Sequence, residues 1–223
     1  MITNRRFSLW LIPNEPHMSE LKAEQARILK SANPVHLPSF DPHVTLIGGI
    51  EICECCSDDN VNNFINDTGI DIDEEAAKIV LQRLQYAFQG FGDVTCEFVE
   101  KEAVRAMFNQ DGTVKWNQAC VSIIRKTDIF MDAMKRANDT LFGTSKKQKV
   151  ERHFRAPVSE PHYSFIYTDD SNIAKKIAET LKCPPAFGSS KIAMMWTDPP
   201  TLEAVLETKW RYIGSIDLND PKS

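Results

Sequence analysis

Two short segments of this chain repeat one another, and together they constrain the fold more than any other feature of the sequence. "PHVTLI" at 42–47 and "PHYSFI" at 161–166 share their proline, histidine and isoleucine, and the other three positions keep their chemical class. Short apolar runs of this length, bounded by loop residues, are typical of strands. We therefore predict two equivalent strands, one within 41–50 and one within 161–169.

The predicted elements around the two segments also repeat in order. The spacing of apolar residues predicts helices over 16–32, 74–91, 127–142 and 171–182. Strand-like runs occupy 5–13, 94–104, 118–126, 188–197 and 205–218, and Asp111-Gly112 marks a hairpin turn between the second and third of these. After each repeated segment the chain continues as helix, strand, strand, which predicts a duplicated unit with two pseudo-symmetric lobes.

Each repeated segment carries a histidine and a hydroxyl residue two positions apart. Residues i and i+2 of a strand project to the same side, so His43 lies beside Thr45, and His162 lies beside Ser164. A single histidine of this kind is usually structural, but a matched pair in matched surroundings favours a functional site. If the two lobes pack against each other, two imidazoles and two hydroxyls face one cleft.

Two imidazoles and two hydroxyls suit the hydrolysis of a cyclic phosphodiester. One ring takes a proton from water while the other gives a proton to the leaving oxygen, and a histidine pKa near ~6.5 lets both forms coexist near neutral pH. The hydroxyls bind the non-bridging oxygens and orient the phosphate between the rings. This chemistry needs neither a metal ion nor a cofactor, and we predict none.

The bulk composition narrows the range of partners. A net charge of −5 over 223 residues argues against non-specific binding to nucleic acid or to an anionic membrane, whereas a small nucleotide or an RNA end needs only a local site. The apolar run in "MITNRRFSLWLIPNE" ends at Pro13, too early for a signal sequence, and no apolar run approaches the ~18 residues of a membrane span. We expect a monomer in the cytoplasm or the nucleus, without a membrane partner.

Two polar segments lack any periodicity and are predicted as surface loops. The acidic segment at 53–72 includes the cysteine cluster "CECC", which we expect to hold reduced thiols, because nothing nearby completes a four-ligand zinc site. The basic segment "KKQKVERHFR" at 146–155 directly precedes the second repeat. The alternative interpretation of this basic segment is a mobile lid whose lysines and arginines bind a nucleotide phosphate.

The paired "HVTL" and "HYSF" resemble the two H-x-[T/S]-x motifs of the 2H phosphoesterase superfamily. Within that superfamily the chain is most similar to the plant and yeast cyclic phosphodiesterases. "FSLWLIP" resembles the opening strand of that group, and "EPHYSFIY" resembles its second motif, including a tyrosine five residues after the histidine. The resemblance covers most of the chain and departs at 53–72 and 146–155, which look like insertions.

The resemblance implies an α+β fold in one bilobal domain over 1–223, with antiparallel sheets lining a central cleft and helices outside. It implies hydrolysis of nucleoside 2′,3′-cyclic phosphates to 2′-phosphates, and of ADP-ribose 1″,2″-cyclic phosphate to ADP-ribose 1″-phosphate at the end of tRNA splicing. Carried over by position, the acid–base pair is His43 and His162, the phosphate-binding residues are Thr45 and Ser164, and the residues near the substrate are Trp10 and Tyr167. For the last two residues, a core aromatic and a strand-end tyrosine are the alternative interpretations.

Two other functions stay open on the sequence alone. An RNA-end enzyme of the same superfamily, ligase-like or exonuclease-like, would be favoured by an extended basic groove, and the net charge and the single basic segment argue against such a groove. A non-enzymatic nucleotide-binding module would not need two titrating rings.

Overall fold

The computed structural model describes residues 5–31, 37, 40–52, 72–108, 114–142, 161–168, 170–197, 204 and 210–221. The acidic segment at 53–71 with its three cysteines, the hairpin turn at 109–113 and the basic segment at 146–155 lie outside these residues. What the sequence predicts for them stays a prediction.

Four helices of two turns or more lie in the described part of the chain, and each matches a predicted helix to within a few residues. They are α1 (His17–Ser31), α2 (Ile72–Phe88), α3 (Asp128–Phe142) and α4 (Ser171–Thr180). α2 ends just before Gly90, whose left-handed φ of 61° suits the residue that follows a helix. None of the described helices is both long and apolar enough to cross a membrane.

Eight strands form two four-stranded antiparallel sheets within the described residues. The strands are β1 (Arg5–Ile12), β2 (Val44–Ile52), β3 (Val94–Phe108), β4 (Val114–Ile124), β5 (His162–Tyr167), β6 (Ala186–Ser189), β7 (Lys191–Trp196) and β8 (Arg211–Asp217). The first sheet has the order β2-β1-β7-β8, and the second has the order β5-β4-β3-β6. Two antiparallel sheets combined with helices confirm the predicted α+β class.

One predicted strand is wrong, because the run at 188–197 is two strands that belong to different sheets. The chain leaves the second sheet after β6 and enters the first with β7. Between them, the backbone N–H of Ser190 donates to Oδ1 of Asn14 at 3.0 Å, and the hydroxyl of Ser190 donates to the same atom at 2.8 Å. Asn14 lies 176 positions earlier in the chain, so no local pattern predicts this break.

The two sheets do not coincide with the two halves of the sequence. β7 and β8 complete the sheet begun by β1 and β2, and β3 joins β4 and β5. The helices cross over as well: in α1, Nε2 of Gln25 donates to the carbonyl of Phe165 in β5 at 2.9 Å, whereas α2 packs on β8. The expected pseudo-symmetry is seen in the two repeated segments, because β2 and β5 are both edge strands, each paired with the strand that precedes it in the chain.

A single apolar core joins the helices to both sheets. Large side chains from six different elements are fully buried in it: Phe7, Leu21, Phe88, Phe130, Phe165 and Phe187. Burial of each such side chain stabilises the fold by about 1.5–3 kcal/mol. The core therefore holds the two edge strands β2 and β5 in a fixed relation, and these strands contact each other.

Candidate active site

The two predicted histidines come together where the two sheets meet. His43 directly precedes β2, and His162 is the first residue of β5. The rings are close enough that the charge of His162 lowers the pKa of His43. The fold thus brings together two histidines that lie 119 positions apart in the sequence.

The two hydroxyl residues, like the two histidines, are partly exposed. Around the first histidine, His43 and Thr45 are half-buried, while Val44 and Leu46 are buried. The second segment has the same alternation: His162 and Ser164 are half-buried, and Tyr163 and Phe165 are buried. Both segments therefore keep their polar pair on the open side of the strand and their apolar pair in the core, as the strand periodicity predicts.

Two bulges in β2 follow the first pair. Gly48 and Gly49 stand opposite the single residue Ser8, and Leu46 is an extra residue between the paired positions of Thr45 and Ile47. A bulge inserts a residue without a partner and shifts the alternation of faces beyond it. As a result Leu46 and Ile47 both reach the core, while Thr45 remains half-buried beside His43.

A backbone carbonyl determines which nitrogen of His43 carries the proton. Nδ1 of His43 lies 3.0 Å from the carbonyl oxygen of Asp41, and a carbonyl oxygen can only accept a hydrogen bond. In the neutral ring Nδ1 therefore carries the hydrogen and Nε2 has a free lone pair. The carboxylate of Asp41 is itself held by Nζ of Lys22 at 2.6 Å.

The surroundings of His43 favour its neutral form. Burial is the main cause that lowers its pKa, to about 4, and the nearby charge of His162 acts in the same direction. The hydrogen bond and the negative charge of Asp41 oppose the shift but are outweighed. At neutral pH, His43 is an uncharged ring that can accept a proton at Nε2.

An aromatic cluster surrounds the ring of His43. The indole of Trp10 is stacked on it, with ring centroids 3.6 Å apart and planes at 11°. Phe40 contacts His43 edge-on at 5.1 Å and is stacked on Trp210 at 5.5 Å. The sequence does not predict Phe40 or Trp210 as site residues: Phe40 lies between predicted elements, and Trp210 falls in the run predicted as a strand at 205–218, where nothing marks it as part of a site.

A cavity of about 470 Å³ opens beside this cluster on the same side of the first sheet. Its walls are the rings of the cluster and side chains of β1, β7 and β8, namely Trp10, Ile12, Phe40, Asp41, Lys191, Ala193, Met195, Trp210 and Tyr212. The lining combines flat aromatic surface with one lysine and one carboxylate. Such a cavity, directly next to a histidine, can hold a flat polar molecule whose reactive group reaches the ring.

The two residues predicted to lie near the substrate, Trp10 and Tyr167, differ in where they lie relative to the site. Trp10 pairs with Thr45 across β1 and β2, but only 2% of it is exposed and one of its faces is covered by His43. Tyr167 is also buried, and the alternation along β5 puts it on the face of Tyr163 rather than that of His162. The structure therefore brings Trp10 to the site and not Tyr167; direct contact of either residue with substrate stays a prediction.

No metal site is apparent in the parts of the chain that the structure describes. Among those residues there is no group of three or more histidine, cysteine or acidic side chains that could hold an ion. Cys96 and Cys183 are free thiols, and burial raises the pKa of Cys96 far above its ordinary value.

Comparison with known proteins identifies one family and several structures. A family described as cyclic phosphodiesterase-like protein matches residues 6–184, a range that includes both histidine segments. No curated protein matches the chain. Escherichia coli LigT complexed with NADP+ is 10% identical, with 97% of this chain and 99% of that chain covered and a TM-score of 0.47. TT0787 of Thermus thermophilus is 12% identical, with 97% of this chain and 100% of that chain covered and a TM-score of 0.47. Kluyveromyces marxianus Usb1 with uridine monophosphate is 11% identical, with 86% of this chain and 94% of that chain covered and a TM-score of 0.44.

Proposed function

This chain belongs to the cyclic phosphodiesterase-like protein family of 2H phosphoesterases, and from that premise we propose that it hydrolyses cyclic phosphates with two histidines and no metal ion. The proposed substrates are nucleoside 2′,3′-cyclic phosphates, which would yield 2′-phosphates, and ADP-ribose 1″,2″-cyclic phosphate, which would yield ADP-ribose 1″-phosphate. The observation that carries the proposal is that His43 and His162 lie at the starts of the contacting edge strands β2 and β5, near enough for the charge of His162 to act on His43.

In this proposal His43 is the general base, because its ring is neutral and Nε2 can accept a proton. Its Nδ1–H is bound to the carbonyl of Asp41, and its low pKa keeps Nε2 unprotonated at neutral pH. In the proposed reaction Nε2 takes a proton from the attacking water as the new phosphorus–oxygen bond forms. His162 then gives a proton to the ribose oxygen whose bond to phosphorus breaks, so that the ring opens to a phosphate monoester and a hydroxyl.

In this proposal Thr45 and Ser164 bind the phosphate and stabilise its negative charge. Each is half-buried two positions after a histidine, one on each side of the contact between β2 and β5. A hydroxyl donates one hydrogen bond, so the pair can bind two non-bridging oxygens as negative charge builds up on them. The phosphate would then lie between the two rings.

The cavity beside His43 is the proposed site for the nucleoside part of the substrate. Stacking of a nucleobase on an aromatic side chain is worth about 1–3 kcal/mol, and Phe40 and Trp210 supply the aromatic surface here. The volume of about 470 Å³ falls within the usual range for small-molecule sites. Lys191 at the rim can meet a further phosphate of a larger nucleotide.

The direct test is hydrolysis of 2′,3′-cyclic AMP in excess EDTA. We expect turnover without metal, and His43→Ala or His162→Ala should each lower kcat by at least ~10²-fold, because each variant lacks one proton-transfer group. His17→Ala is the matched control, since His17 begins α1 outside the site and should leave kcat unchanged.

A substrate panel then separates the possible activities of this site. It should contain 2′,3′-cyclic nucleotides, ADP-ribose 1″,2″-cyclic phosphate and an oligoribonucleotide with a 2′,3′-cyclic phosphate end, with products identified by phosphorus NMR. Preference for the oligonucleotide would favour an RNA-end enzyme instead. Activity that disappears on chelation and returns with metal, or binding without turnover, would contradict the two-histidine mechanism.

A further inference from the structure

Trp10 covers one face of the His43 ring. The two rings are nearly parallel, at 11°, and their centroids are only 3.6 Å apart. Trp10 is also fixed in the sheet, because it pairs with Thr45 in β2 and with Ala193 in β7. With 2% of its surface exposed, the indole is almost completely enclosed by its neighbours.

The other contacts of His43 leave its ring plane free to rotate, and the stacked indole limits this rotation. The hydrogen bond from Nδ1 to Asp41 fixes one edge of the imidazole, but a single hydrogen bond lets the ring plane rock about it. Phe40 meets the ring only edge-on, at 5.1 Å. A parallel neighbour at van der Waals distance limits rotation of the plane, and it keeps water from that face.

We infer that Trp10 is a positioning residue: its indole holds the plane of the His43 imidazole and shields one face from water, so that Nε2 is presented to the attacking water in one orientation. This inference rests on the proposed role of His43 as the base. It gives Trp10 a role that does not depend on the leaving group or on the nucleobase of the substrate.

Two opposite effects decide how loss of the indole changes the pKa of His43. An aromatic face attracts a cation, so its removal on its own would lower the pKa. Removal also admits water, and burial is the largest cause of the present shift, so hydration outweighs the lost attraction. The charged groups that act on the ring, Asp41 (bound to Lys22) and His162, remain in place in a Trp10 variant.

Substitution of Trp10 separates a positioning role from a substrate contact. In Trp10→Leu we expect kcat to fall about ten-fold or more, because a loosened imidazole spends a smaller fraction of its time in the reactive orientation. The fall should be equal for 2′,3′-cyclic AMP and for glycerol 1,2-cyclic phosphate, which has no base, and KM should change little for either. Trp10→Phe should recover most of kcat. Trp196→Leu removes a tryptophan that packs against Phe7 and Arg211 instead, and should leave kcat unchanged.

An NMR titration of His43 without substrate tests the same inference apart from turnover. In the unsubstituted protein, the stacked indole should shift the NMR signals of the His43 ring protons upfield. This measurement does not depend on whether a variant folds. The pKa of His43 should rise from about 4 towards ~6.5 in Trp10→Leu and stay low in Trp196→Leu.

Each outcome of these experiments decides one question. Absence of the upfield shift, an unchanged pKa in Trp10→Leu, or a KM increase confined to the substrate with a base would overturn the positioning role. If the unsubstituted protein turns over no cyclic phosphate but the NMR results are as expected, the proposed function fails while the effect of Trp10 on His43 stands.

Discussion

At the scale of a single residue, His43 combines effects from three neighbours. The Asp41 carbonyl assigns the ring proton to Nδ1, the Trp10 indole covers one face, and His162 adds a positive charge close by. Burial outweighs the rest and keeps the ring neutral. The sequence places this histidine on a strand and pairs it with His162 through the repeated segments, but residue spacing does not assign the Asp41 carbonyl or the stacked Trp10 indole to it.

The state of His43 predicts an unusual pH dependence. Only the neutral ring can accept a proton from water, so kcat/KM should fall on the acid side with an apparent pKa near 4, well below the ordinary histidine value of ~6.5. On the alkaline side it should fall as His162 loses the proton that it donates. The measurement is kcat/KM for 2′,3′-cyclic AMP in buffers of constant ionic strength. An acid limb near ~6.5 would mean that water surrounds the ring and would contradict this account.

At the scale of the element, the starts of two helices follow from short-range contacts. Thr127 begins α3 by accepting the N–H of Phe130 at 3.3 Å, and Asp170 begins α4 by accepting two backbone N–H groups. These capping residues and the apolar stripes lie within a few positions of the helices that they start. The sequence therefore predicts the helices well, whereas it misses the break between β6 and β7, which depends on distant Asn14.

The cap of α4 can be tested by its effect on stability. Asp170→Ala removes hydrogen bonds to Asn172 and Ile173, which should lower the free energy of unfolding by about 1 kcal/mol and Tm by about 2–4 °C. Asp170→Asn is the matched control, because an amide oxygen can accept the same bonds, and it should keep most of the stability. Thermal unfolding by circular dichroism measures both variants. Equal loss in the two variants would indicate a charge effect and not a cap.

At the scale of the whole molecule, the two sheets exchange strands and helices. The sheet that carries His43 is completed by β7 and β8 from the end of the chain, and the helix between β1 and β2 packs against the other sheet. Neither sheet is complete without segments from both halves of the sequence, and both share one core. The protein should therefore unfold as one unit, as a single domain would.

Urea unfolding followed by two probes tests this cooperativity. In a Trp116→Phe variant, the three remaining tryptophans all lie in or beside the first sheet, so fluorescence reports on that sheet alone. Far-ultraviolet circular dichroism reports on every element of the chain. We expect the two transitions to coincide, as two-state unfolding requires. A fluorescence midpoint clearly separated from the circular dichroism midpoint would show that the sheets unfold independently.

Residue patterns along the chain are enough to predict the repeated histidine and hydroxyl pairs and the four helices, and the resemblance of the two pairs to a known family implies the α+β class. The pairs and the helices depend on residues that are neighbours in the chain, through strand alternation, helical spacing and capping. The tertiary structure adds that Trp10 stacks on His43 and that Phe40 and Trp210 line the adjoining cavity, neither of which follows from residue patterns. It also brings His43 near His162, which the repeated segments predict. Strand pairing and burial join segments that are not neighbours in the chain, and it is burial that sets the protonation state of His43.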